Sequence, residues 1–313
     1  MLTLFTIPKA FRGHIGTLQQ NAIRSWTLLR PACEIILLGD DEGTAEVARE
    51  FGLHHIPNVA RNGYGTPLLN SIFEQAQAVA SHRLLVYVNA DIILLSDFIA
   101  AVRRIPFRRF LMVGQRWDMN LDRSLDFSRL DWEGRLRECV RSQGTPQEPA
   151  GMDYFVFTSG LWGEIPPFAV GRGAWDNWLI YQARAQGAVV VDATHAVMVV
   201  HQNHDYAHIQ GGQGGLWKGP EAQRNLELPG GNNARNFALA DTTWALPARG
   251  VVRPVLSTER LLRHLTTLPA FPLPAWRFHL MRGLLLLVLA WQEKRLMRSI
   301  VRRAKRILIL GSR

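Results

Sequence analysis

The segment Leu84-Leu85-Val86-Tyr87-Val88-Asn89-Ala90-Asp91-Ile92-Ile93-Leu94-Leu95 sets one carboxylate inside an otherwise apolar run. Burying a lone carboxylate within a strand is costly. Asn89 and Asp91 are therefore expected at the exit of a strand covering 84–88, where open α/β sheets bind their ligands. A carboxylate there, with a polar residue two positions before it, suits a hard cation holding a diphosphate. The alternative is an Asp that caps the next element. Two more groups fall at strand ends. Thr6 and Pro8, in Thr6-Ile7-Pro8, are expected beside a base or ribose. Asp40 and Asp41 could accept hydrogen bonds from ribose hydroxyls, or cap a helix beginning at Thr44.

These groups need a scaffold, and the first part of the chain supplies its pattern. Strand-like segments at 2–7, 34–38, 84–88 and 109–113 alternate with helix-like segments at 18–29, 44–51 and from Thr66-Pro67 to about Ala80. Thr suits a cap and Pro the first helical position. The continuous apolar runs are those of strands buried on both faces. A mostly parallel sheet with helices on both faces follows. The stretch 114–150 is polar and weakly patterned, with one helix expected at 132–141. Further elements are expected at 154–158 (strand), 174–186 (helix), 188–192 and 197–200 (strands), followed by a long loop with His201, His204, His208 and four glycines between 211 and 215.

On these residues the chain resembles the nucleotide-sugar glycosyltransferases of the GT-A fold. The carriers are Thr6-Ile7-Pro8, Gly39-Asp40-Asp41, Asn89-Ala90-Asp91, Trp175-Asp176-Asn177-Trp178 and His201-Gln202-Asn203-His204, and the resemblance covers about residues 1–245. It implies a Rossmann-like α/β fold in which an Asp-any-Asp motif holds Mn2+ or Mg2+ against the donor diphosphate. Asn89 stands where the first Asp of that motif would be, and Asp91 keeps the usual ligand position. The resemblance further implies a His as an additional metal ligand, His204 first and His201 second, although histidines in ordinary hydrogen bonds are the alternative. It casts Asp176 as the general base of an inverting enzyme, because a sugar hydroxyl is a poor nucleophile until a base takes its proton. Trp175 and Trp178 would flank a sugar. The structural alternative is that Asp176 caps its helix while both tryptophans enter the core.

Asp153 and Tyr154 are expected at the acceptor pocket, and Asn62, in the turn-rich loop 61–65, near the donor. The 211–215 loop with Trp217-Lys218 could fold over the diphosphate with Lys218 as counter-charge, or be a plain loop.

The net charge of +10 is unevenly placed. Residues 276–313 hold ten Lys/Arg and a single acid, Glu293, so the remainder is close to neutral. A near-neutral body argues against nucleic acid as a partner. In the tail, the apolar run 284–291 is too short to span a bilayer. Beyond it, Leu296, Met297, Ile300, Val301, Ala304, Ile307 and Leu308 share one helical face among basic residues, as in a helix lying on an anionic membrane surface. Packing on a protein is the alternative. Two scattered cysteines and an N-terminus without signal-peptide character point to a reducing compartment.

The expectation is thus a GT-A-like catalytic domain at 1–250 and a basic amphipathic helical tail at 251–313. Its partners would be a nucleotide-sugar donor, a glycan or lipid-linked acceptor and the inner membrane surface. It would be cytoplasmic and peripherally bound. A nucleotidyltransferase of related architecture and a non-catalytic nucleotide- or glycan-binding relative are the rivals.

Overall fold

The computed structural model describes residues 2–149, 151–204, 215–231, 235–254, 257–267, 270–271 and 283. The basic stretch 276–313, save Gly283, and the glycine loop 211–214 lie outside the described residues, as does His208. The chain divides into two units, 1–254 and 255–313. In the second, the described helix is Thr258–Thr267. No helix among the described residues is long and apolar enough to cross a membrane.

The first unit is built on an eight-stranded sheet. Its strands are β1 (Leu2–Thr6), β2 (Glu34–Leu38), β3 (His54–Ile56), β4 (Leu84–Val88), β6 (Phe110–Val113), β9 (Tyr154–Thr158), β10 (Val189–Asp192) and β12 (Trp244–Ala245), in the order β12-β10-β6-β9-β4-β1-β2-β3. All pairings are parallel except those of β9, which runs antiparallel to β4 and β6. The α/β class with a mostly parallel sheet, expected from the apolar runs, is what forms.

Alternation along the strands builds two cores. Leu4, Val86 and Val156 face one way, onto helices α1 (Gly13–Thr27), α2 (Thr44–Phe51) and α4 (Ser96–Arg103), through Ile23, Trp26, Val47 and Phe98. Phe5, Tyr87 and Phe157 face the other way and meet Phe73 of α3 (Leu69–Val79) at ring distances of 5.1–5.5 Å. Burying an aromatic or aliphatic side chain of this size contributes roughly 1.5–3 kcal/mol, so the doubly covered strands anchor the unit.

A second sheet, in the order β5-β11-β7-β8, decides the site. It joins β5 (Ile92–Ile93), β11 (Val200–Gln202), β7 (Trp117–Met119) and β8 (Thr145–Pro146). Here the structure corrects the strand expected at 197–200, which lies instead at Val200–Gln202. Its register sets His201 opposite Ile92 and opposite Asp118. Gln202 is fully buried and bonds Asn21, the Leu18 carbonyl and the Asp91 carbonyl, which locks the strand there.

The expected helix start at Thr66-Pro67 is also corrected: α3 begins at Leu69. The Asn62 side chain accepts the Tyr64 and Thr66 N–H groups, so the chain is still turning at that point. Among the described residues the first unit also holds the α-helices α5 (Trp132–Gln143), α6 (Trp175–Ala185), α7 (Gly215–Lys218) and α8 (Pro220–Glu227).

Candidate active site

A cleft of about 310 Å³ opens at the carboxyl ends of β1 and β4. Because β9 is antiparallel, its amino end meets the carboxyl end of β4, Val88 opposite Tyr154, and brings Asp153 beside Asn89. The cleft is lined by Asn89, Asp91, Asp153, Trp175, Asp176, His201 and His204, seven residues singled out from the sequence.

Asp91, His201 and His204 form one cluster, with ligand-capable atoms all within 4.8 Å of one another. His204 Nε2 lies 3.1 Å and His201 Nε2 3.7 Å from Asp91 Oδ2. The other oxygen, Oδ1, is buried and makes no hydrogen bond. Asp91 does not cap the next element; its carboxylate is given over to the imidazoles. Burial alone would raise its pKa, but the charge of His201, the hydrogen bond with His204 and the charge of Lys9 outweigh it and hold the carboxyl well below the usual range. His201 is buried, and burial disfavours its charged form, yet Asp91 and Asp118 together raise its pKa. Its Nδ1 is 3.0 Å from Asp118 Oδ1.

Asp118 begins a chain of contacts along the wall. Arg116 Nε donates to Asp118 Oδ1 at 2.8 Å, and its Nη1 donates to Asp153 Oδ2. Asn89 Nδ2 donates to Asp153 Oδ1 at 2.6 Å, while the Asn89 N–H meets the Asp153 carbonyl at 3.0 Å. An aspartate at 89 would face another carboxylate at that distance, so the amide there is what Asp153 requires.

Asp176 sits in the first turn of α6, whose cap is Ala174 and not Asp176. Its Oδ1 accepts the N–H of its own neighbour Asn177 at 2.9 Å. Burial, with the like charge of Asp153 behind it, pushes its carboxyl up to about 7 against that hydrogen bond and the charge of Arg116. The backbone feeding it is unusual. Gly171 has φ +71°, and Ala174 has φ +83°, the left-handed region an L side chain rarely adopts. Strain of this kind persists where the surroundings impose it, and it gathers at functional sites.

Eight expected residues stand outside the cleft lining. Thr6 is fully buried at the end of β1, and Pro8 is buried in the turn beyond it. Asp40 and Asp41 neither line the cleft nor cap α2; Arg61 Nη2 donates to both at 2.8 Å. That contact holds the Asp40 carboxyl low. Asn62 is used by its own turn and by Glu221, to which it donates at 2.7 Å. Tyr154 is buried against Phe98 on the far side of β9 from Phe155, since neighbouring strand residues point to opposite faces. Trp178 packs on Phe168 at 5.4 Å. Trp175 reaches the cleft but packs at right angles on Tyr87 at 5.5 Å, with 5% of its surface exposed. Lys218 is exposed on α7, and its neighbour Trp217 lines the cleft instead.

Sequence reasoning missed Lys9, Arg116 and Arg172 in the lining and read Trp217 only as part of a segment folding over the diphosphate. Lys9 had a local signal: it follows the first strand, and its backbone N–H and carbonyl are both bonded by the buried Gln19 amide at 2.7 and 2.8 Å. Arg116 had none, because its second partner, Asp153, lies 37 residues further along the chain.

No protein-family model matches the chain, and no curated protein matches it. Among solved structures it is similar to a mannosyltransferase from Pyrobaculum calidifontis in complex with GDP-Man and Mn2+. That likeness has 14% identity over 64% of this chain and a TM-score of 0.41, and the chain spans 56% of that protein's length. It is similar to TarS from S. aureus, with 10% identity over 87% of this chain and 81% of that one and a TM-score of 0.44. It is also similar to glucosyl-3-phosphoglycerate synthase from Mycobacterium tuberculosis in complex with Mg2+ and uridine diphosphate, with 13% identity over 65% of this chain and 72% of that one and a TM-score of 0.39.

Proposed function

We propose that this chain is a nucleotide-sugar-dependent glycosyltransferase, moving a hexosyl group from a nucleoside diphosphate to a hydroxyl of a glycan or lipid-linked acceptor with inversion. One observation carries the reading: a carboxylate–imidazole cluster and a carboxyl poised near neutrality line the same cleft. The cluster fits a divalent cation. Asp91 Oδ1 is buried without a hydrogen bond, and one carboxylate oxygen with two imidazole nitrogens suits Mn2+ better than the oxygen-seeking Mg2+. Held by Asp91, His201 and His204, such a cation would neutralise charge building on the departing diphosphate.

The chain's own residues supply the rest. Asp176 takes the proton of the acceptor hydroxyl as that oxygen bonds to the anomeric carbon. The bond from this carbon to the diphosphate oxygen breaks, and its electron pair leaves with the diphosphate. A base with a pKa near the working pH is the efficient one for this task. Asn89 and Arg116 hold Asp153, whose charge keeps Asp176 from becoming a weak base.

The test is a screen of UDP- and GDP-sugars with Mn2+ and simple glycoside acceptors. Release of nucleoside diphosphate with transfer is expected. Release of pyrophosphate in a parallel incubation with UTP or GTP and a hexose 1-phosphate would mark a nucleotidyltransferase, and binding of nucleotide without turnover in either a non-catalytic relative. The basic segment 276–313 supports peripheral attachment to the cytoplasmic face of the membrane. Deleting it should move the protein to the soluble fraction; an undiminished membrane fraction overturns the attachment.

A further inference from the structure

We propose that Trp217 is the platform on which a pyranose ring of the acceptor stacks, and that Gly173 and helix α8 hold it there. The ring is 61% exposed and yet forms part of the cleft wall. A large apolar face left open inside a cleft gains burial when a ligand covers it. Trp175 and Trp178, the tryptophans the sequence pointed to, are each only 5% exposed and have no face to offer.

The ring's place is built. A Cβ added to Gly173 would lie 2.5 Å from Trp217 Cζ3 and 2.6 Å from Cε3, so only glycine admits the indole at that spot. Gly173 stands three residues before Asp176. Helix α8, which begins three residues after Trp217, is fastened to the same stretch of chain. Asn225 is 1% exposed and spends its whole side chain on that stretch: its Oδ1 accepts the Ala169 N–H at 2.8 Å, and its Nδ2 donates to the carbonyls of Ala169 at 3.0 Å and Gly173 at 3.2 Å. Arg172 forks onto Glu221 Oε2 at 3.0 and 2.6 Å. The indole and the segment that carries Asp176 are thereby stapled together.

The chemistry selects a saccharide. One face of a pyranose is made of C–H bonds and packs on an aromatic ring, whose face is electron-rich, while the hydroxyls at the rim stay hydrated. A phosphate would gain nothing from that surface. That the saccharide is the acceptor rests on the transferase reading above.

The test titrates the full chain and its Trp217→Ala and Trp217→Phe variants with p-nitrophenyl hexopyranosides by saturation-transfer NMR, and separately with UDP and GDP in Mn2+ by calorimetry. Trp217→Ala should weaken saccharide binding by about tenfold or more, the loss expected from uncovering a modest apolar face. Trp217→Phe should keep most of it, and nucleotide affinity should stay within about twofold on that free-energy scale. Gly173→Ala, which displaces the ring, should resemble Trp217→Ala. Saccharide binding by the alanine variant equal to wild type overturns the proposal, as does a wild type that binds nucleotide but no saccharide. A wild type that binds saccharide through Trp217 and no nucleotide upholds the platform and overturns the transferase reading.

Discussion

Asp91 and Asp176 share a cleft but sit in opposite electrical surroundings. At one end, two imidazoles face Asp91 and hold it ionised. At the other, desolvation of the half-buried Asp176 and the like charge of Asp153 act together, and among the described residues no cation forms an ion pair with it, so its carboxyl rises to about 7. Two carboxyl groups pushed apart in this way divide the labour between a fixed anion and a proton acceptor. The wall between them carries the difference: Arg116 bridges Asp118, on the imidazole side, to Asp153, on the Asp176 side. Charge placement along one wall, more than residue type, gives each aspartate its task.

The sharpest way to break this contrast is to remove the ionised end. Asp91→Ala should lower metal-dependent turnover of the nucleotide sugar by about 10³-fold, since a preorganised charge site is lost. Turnover measured across a Mn2+ titration checks this, and intact turnover rules out the cluster as the metal site.

Asp176→Asn should cost about 10²- to 10⁴-fold in kcat, the span of general-base contributions, with nucleotide affinity retained. In the wild type, activity should climb as pH rises through about 7, because the base works deprotonated. Stability runs the other way. The folded-state pKa lies above the unfolded value near 3.9, so the native state binds more protons between those values and loses stability as pH rises through that window. The asparagine variant should therefore melt higher than wild type at pH 8 and gain little at pH 4. A variant that melts lower at both would mean Asp176 is not strained by its charge.

The smallest effect belongs to the wall. Asn89→Asp sets two carboxylates 2.6 Å apart and removes a donor, which should cost about 1–3 kcal/mol in urea unfolding. Adding Asp153→Asn, which restores a donor–acceptor pair, should recover much of that loss. If the double variant is as unstable as the two single costs combined, the pair does not interact as described.

Much of the scaffold was legible because buried parallel strands are written locally. The runs 34–38, 84–88 and 154–158 matched their strands in both limits, and 44–51 its helix. The short strands β3, β5, β7 and β8 were not foreseen, as two or three residues carry too little periodicity. The strand at Val200–Gln202 was displaced in the reading because its register depends on partners near residues 92 and 118. Among site residues, Asp91, His201, His204 and Asp176 converged. Tyr154 and Trp178 went to the core, where strand alternation and a helix face sent them.

What the sequence determined by itself was the alternation of apolar runs, and with it a mostly parallel sheet whose exit carries Asn89 and Asp91. Which distant groups would meet that exit was left to the packing of segments far apart in the chain. An antiparallel β9 delivered Asp153 beside Asn89, and a second sheet delivered His201 beside Asp91. The physical reason is that burial acts on each segment through its own side chains, whereas the charge state of a carboxyl is set by neighbours that folding alone brings within a few ångströms.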